Sequence, residues 1–163
     1  MEMPYSNMEL IIAMSMAVVM VVLTILVHYE VLYYTSRTLP RLPLKNDRLR
    51  MIFVMLGAFL AHVIEIWLFA ICFWVMYKLE LGNLAGEFYG GDHWRSYLYF
   101  STVSYTSLGL GDIYPQGPMR LMTGVEGLVG LVMIGWSASF TYLVMDKFWR
   151  LHRRPTFWND GGS

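Results

Sequence analysis

The chain has 163 residues, enough for one domain, of which 56% are hydrophobic and only 15% charged. Twelve basic and twelve acidic side chains cancel to a formal net charge of zero, so nothing in the balance points to nucleic acid as a partner. A single cysteine, Cys72, excludes an intrachain disulfide or a site built from paired thiols, and within its apolar run it reads as a small buried hydrophobe.

Leu10 to Val27 carries no charge and is long enough to cross the hydrocarbon core as a helix. It is too long for the apolar region of a secretory signal, follows Glu2 and Glu9 rather than basic residues, and lacks a clear small-residue cleavage site. Met14, Met16 and Met20 are expected to face lipid or to pack, not to bind a soft metal. His28 and Glu30, near the inner end of this span, are expected to reach the membrane interface. Nothing in the sequence sets the register of the first span, which is placed at the periphery as a belt. A basic connection follows, with Arg37, Arg41, Lys45, Arg48 and Arg50.

Met51 to Tyr77 is the second apolar run, interrupted only by His62 and Glu65. Three residues apart, these two share a helix face. They suit either a titrating pair that senses pH, because histidine changes charge near neutrality, or a structural contact between helices. Beyond this span, Gly90 and Gly91 precede Asp92, a suitable helix N-cap. His93 to Thr106 is then aromatic and apolar but too short to span a bilayer. Such a segment predicts a re-entrant helix, tolerated where protein or a water-filled cavity surrounds its end.

Leu121 to Met145 is the third run, interrupted only by Glu126. A carboxylate in hydrocarbon must face protein, a partner or water. Glu126 is either a cation-attracting or gating group, or a hydrogen-bonded acid anchoring this span to the re-entrant helix. Gly124, Gly127 and Gly130 place small residues along roughly one face, which suits close helix packing. A short basic tail follows with Lys147, Arg150, Arg153 and Arg154. It is too small for a cytosolic nucleotide- or calcium-binding domain. No span carries the regular arginine series of a voltage sensor.

Trp67, Trp74, Trp94, Trp136, Trp149 and Trp158 fit interfacial belts and helix packing. His93 and His152 are expected in solvent, and the four scattered histidines predict no metal site. Basic residues concentrate in the first connection and the C-terminal tail, and positive charge prefers the cytoplasm. The expected topology is therefore N-terminus outside and C-terminus cytoplasmic, in the plasma membrane.

The re-entrant helix runs into Thr106-Ser107-Leu108-Gly109-Leu110-Gly111-Asp112, followed by Ile113-Tyr114-Pro115. This segment resembles the pore loop of tetrameric potassium channels, whose filter reads TVGYG and is commonly followed by Asp and a Tyr-Pro. Its GLG is similar to the second pore loop of some two-pore-domain potassium channels. The dinucleotide fingerprint is a poor match, since its third glycine and flanking strand are missing. The resemblance covers Met51 to roughly Met145, and it implies a gating hinge at Gly130, which falls near the inner-helix glycine of such channels. It implies K+ coordination at Ser107, Leu108, Gly109, Leu110 and Gly111, with Thr106, Asp112, Val103, Tyr99 and Phe100 supporting the filter. The physical logic is that a permeating ion exchanges water for rings of backbone carbonyls. Alternating backbone conformations aim those carbonyls inward, and glycine adopts them cheaply. Two residues depart from the pattern: Val103 stands where many such channels carry a carboxylate, and Leu110 lacks the tyrosine hydroxyl. Both favour a looser filter.

The expectation is an all-α membrane protein with three transmembrane helices per chain and a pore helix and filter between the second and third. Residues 1–50 form the first helix and basic loop, 51–146 the pore domain, and 147–163 the tail. Four copies, embedded in lipid, form a homotetrameric channel conducting K+ with no organic cofactor and no enzymatic activity. The competing readings are a weakly selective cation channel of the same architecture, an accessory subunit with a silent pore loop, and a membrane redox subunit holding a cofactor through His28, His62 and Glu65.

Overall fold

A computed structural model of the chain describes residues 6–43, 46–86 and 94–152, with 148–152 as backbone only. Lys45, Gly90, Gly91, Asp92, His93, Arg153, Arg154 and Trp158 lie outside the described residues, as do the side chains of Trp149, Arg150 and His152.

Helix α1 spans Asn7–Thr38 and begins at a reciprocal cap. The Ser6 hydroxyl accepts from the Glu9 N–H at 3.2 Å, and the Glu9 carboxylate accepts from the Ser6 N–H at 2.9 Å. A 3-10 turn at Leu39–Arg41, carrying Pro40, redirects the chain. Helix α2, Asp47–Lys78, starts at Asn46, whose side chain accepts from the Arg48 N–H. It ends where the Leu81 N–H donates to the Met76 carbonyl and the Glu80 N–H to the Tyr77 carbonyl, with Glu80 left-handed at φ 59°. Strand β1 (Asn83–Gly86), helix α3 (Trp94–Tyr105), strand β2 (Ile113–Gln116) and helix α4 (Met119–His152) complete the order.

Among the described residues, three helices are long and apolar enough to cross a membrane: Asn7–Arg41, Asp47–Lys78 and Met119–Lys147. At about 1.5 Å rise per residue, the 32 residues of α1 exceed the roughly 30 Å hydrocarbon thickness. Helix α3, with 12 residues, falls well short of it. The two strands, which the sequence reading did not anticipate, pair antiparallel, with Leu84 opposite Pro115 and Ala85 opposite Tyr114.

Helix α1 packs on α2 and α4, and α3 is wedged between α2 and α4. The face that α1 buries is Ala13, Ala17, Met20, Thr24, His28, Leu32 and Thr35, one residue every three or four positions. Thr24 and Thr35 satisfy their hydroxyls on their own helix, at the Met20 and Val31 carbonyls. Ile11, Val18, Val22 and Leu26 project outward, as they must where the solvent is lipid. The core itself joins Ala13, Phe69, Phe73, Met76, Tyr97, Phe100, Met119 and Met122, with Cys72 buried among them. His28, expected at the interface, is instead fully buried: its place on the packed face of α1 turns it into the bundle.

Candidate functional site

The loop after α3 inherits its geometry from the way that helix stops. The Leu108 N–H donates to the Val103 carbonyl and the Ser107 N–H to the Ser104 carbonyl, both at 3.0 Å. This paired closure requires a left-handed residue at Ser107, where φ is 55°. Gly109 at φ 58° and Gly111 at φ 80° repeat the same sign two and four residues on. A Cβ built at either glycine meets no atom within 4 Å among the described residues. Backbone conformation, not crowding within the chain, is therefore what calls for glycine here. All of residues 106–112 are exposed, with Leu108 at 63% and Leu110 at 59%.

Both ends of the loop are held. At its start the Thr106 hydroxyl donates back to the Thr102 carbonyl at 2.8 Å. At its far end the Tyr99 hydroxyl donates to Asp112 Oδ2 at 2.7 Å, while the Ile113 N–H donates to Asp112 Oδ1 at 3.0 Å. That bond to a carboxylate pushes the Tyr99 phenol above its usual range. Asp112 leads directly into β2, whose pairing with β1 ties the loop's exit to the chain just beyond α2. Phe100, on α3, is buried with its ring 5.1 Å from that of Phe73. The Val103 side chain is half-buried.

Two buried carboxylates grip α3 one helical turn apart. Ser101 Oγ lies 2.5 Å from Glu126 Oε1 on α4 and 2.8 Å from the Ile66 carbonyl on α2. Glu126 Oε2 has no partner among the described residues. One turn on, the Tyr105 hydroxyl donates to Glu65 Oε2 on α2. His62 Nδ1 lies 2.8 Å from that same hydroxyl and 3.5 Å from Glu65 Oε2. His28 Nδ1 on α1 lies 2.8 Å from Glu65 Oε1, and its Nε2 is 3.3 Å from Ser137 Oγ on α4. With a carboxylate able only to accept, both His28 Nδ1 and the Tyr105 hydroxyl must donate to Glu65. The phenol has then spent its one proton, so His62 Nδ1 donates to it.

His62 and Glu65 therefore do share a face and do meet, but inside a four-helix network that includes His28. His28 and His62, expected to be scattered, lie together. His28, His62 and Glu65 offer ligand atoms all within 4.8 Å of one another, because α1 and α2 pack with these faces opposed. Spacing along any one span could not show this. The types would suit zinc, although the same atoms already satisfy one another by hydrogen bonding.

Gly130 and Gly127 turn onto the chain's own pore-loop helix. A Cβ at Gly130 would run into the Tyr105 carbonyl, and one at Gly127 would touch the Ser104 carbonyl at 3.5 Å. Gly124 faces open space within the chain. In the sequence Tyr105 is one residue of an aromatic segment, and nothing singles out Ser101 or Ser137. The available signal was indirect: two buried acids require donors, and Ser101 and Tyr105 stand four residues apart on the helix between them.

Two membrane-length helices bracketing a short helix and an exposed loop of alternating backbone sign define the pore domain of a membrane channel. The family model for ion channels matches residues 51–147, more than half of the chain, and the chain belongs to this ion channel family. Helix α1 lies outside the matched region. No curated protein and no solved structure matches the chain.

Proposed function

We propose that the chain is the pore-forming subunit of a potassium-selective channel, assembled as a homotetramer with Ser107, Leu108, Gly109, Leu110 and Gly111 around the axis. The observation that carries this reading is the recurrence of left-handed backbone at Ser107, Gly109 and Gly111 directly after the pore helix. Alternation of this kind turns successive carbonyls to the same side, the arrangement that replaces an ion's water shell. The exposure of the whole loop supports assembly, since one strand cannot surround an ion and the chain carries one such loop. The basic residues at Arg37, Arg41, Arg48 and Arg50, and at Lys147, favour a cytoplasmic side for the first connection and the C-terminus, in the cell membrane.

A second reading, a weakly selective cation channel of the same build, is favoured by Leu110, which has no hydroxyl to tie the filter, and by Val103 in place of a carboxylate. Reversal potentials under K+/Na+ replacement in liposomes containing only this protein separate the two. Gly109→Ala and Gly111→Ala should abolish K+ flux or selectivity while insertion is retained. Normal conduction by both variants overturns the filter assignment.

A further inference from the structure

The helix that precedes the family-matched region contributes a polar group to its interior, and that group reaches the foot of the pore loop in two steps. We infer that His28 is a positioning residue for the filter, acting from α1 through Glu65 upon Tyr105. The inference rests on the filter assignment proposed above.

Burial is the first ground. His28 and Glu65 are both fully buried, and Tyr105 is nearly so. An ionisable pair in a membrane bundle is costly, and a pair of apolar residues would pack α1 to α2 without that cost. Packing alone therefore does not account for it. Direction is the second ground. Glu65 has two oxygens and divides them between two elements, Oε1 toward His28 and Oε2 toward Tyr105. Ser137 lies against the other nitrogen of His28, fixing the ring from α4. The carboxylate is thus held from behind while it holds the pore helix in front.

Position is the third. Tyr105 is the last residue of α3, and Ser107, two residues on, already carries left-handed backbone that a non-glycine adopts at a cost. Such a conformation persists only where its surroundings over-determine it. The Tyr105 side chain is anchored by Glu65 and His62, and its carbonyl rests against Gly130. Removing His28 strands Glu65 Oε1 in an apolar setting. The carboxylate then turns or draws in water, Tyr105 loses its fixed acceptor, and the start of the filter is free to relax.

The test uses the full chain in liposomes at matched insertion, reading K+/Na+ permeability ratio and unitary conductance together. His28→Leu should change one or both by about tenfold, the scale of one lost charge-assisted hydrogen bond. His28→Asn, whose amide nitrogen sits near the place of Nδ1 and can donate to Glu65, should recover most of the loss. Thr24→Val, one turn away on the same buried face, should leave both readouts unchanged. In a Tyr105→Phe background, His28→Leu should add little further, because both act through one carboxylate. Wild-type behaviour of His28→Leu, equal impairment of the Leu and Asn variants, or full additivity with Tyr105→Phe overturns the inference. A wild type that conducts without preferring K+ refutes the proposed selectivity, yet still decides the role of His28 through conductance. A wild type that passes no cation overturns both.

Discussion

Ser101 Oγ lies 2.5 Å from Glu126 Oε1 and 2.8 Å from the Ile66 carbonyl, so a single hydroxyl joins the pore helix to both helices that flank it. Its one proton serves only one of these acceptors at a time. Ser101→Ala removes the only partner Glu126 has among the described residues and leaves a buried carboxyl unsatisfied. The expected loss of stability is about 1–3 kcal/mol, read as a lower melting temperature in detergent. Glu126→Gln keeps an oxygen toward Ser101 without a carboxylate's desolvation cost, and should melt at or above the wild type. A Gln variant less stable than Ser101→Ala would contradict this account.

Gly130 and Gly124 lie on one helix but should answer differently to the same substitution. Gly130→Ala drives a Cβ into the Tyr105 carbonyl, so α4 and the pore helix must separate. Overpacking of this kind costs about 1–3 kcal/mol, and cation flux should fall along with stability. Gly124→Ala meets open space within the chain, and its fold should melt as the wild type does. Equal melting temperatures for the two variants would remove the close approach at Gly130 as a structural requirement.

The Tyr99–Asp112 bond ties the far end of the loop to α3, and its pH dependence has a definite sign. The bond raises the phenol above its usual value, so its contribution is complete below the free tyrosine range and is lost as pH rises through the shifted one. Flux and selectivity should hold from neutrality to about pH 10, the ordinary tyrosine value, and decline only beyond it. Tyr99→Phe should show the altered behaviour already at neutral pH and lose that alkaline step. An alkaline profile identical in the two proteins would separate Tyr99 from the filter.

Topology can be read by cysteine labelling, because the native Cys72 is buried and gives little background. An Asn46→Cys probe, in the basic connection, should be shielded from an impermeant reagent added outside intact cells, and an Asn83→Cys probe should react. The reverse pattern would invert the chain and with it the outward placement of the pore loop.

Much of the architecture was legible in the residues. The apolar runs beginning near Leu10, Met51 and Leu121 become α1, α2 and α4, with ends extended by capping and by polar flanks. The short aromatic segment becomes α3, starting at Trp94 among the described residues. What could not be read was the partner of each polar residue inside a span. His28 was placed at the interface by its distance from the span's middle, whereas its position on the Ala13–Ala17–Met20–Thr24 face carries it inward. The strands were missed for a related reason. Asn83–Gly86 and Ile113–Gln116 are short, rich in turn-forming residues, and paired only because the pore loop returns to the end of α2.

The sequence by itself determined what the membrane demands of one segment at a time. A span must be long, apolar and internally hydrogen-bonded, and a glycine two residues from another must be free to take left-handed backbone; these are local properties. Tertiary structure alone decided which way each helix turns about its axis. That rotation brings His28 to Glu65, Glu65 to Tyr105 and Ser101 to Glu126. Apolar stripes nearly uniform around each helix do not encode it, because lipid and protein neighbours solvate an aliphatic side chain about equally well. The few buried polar groups do, since each is satisfied in only one arrangement of the bundle.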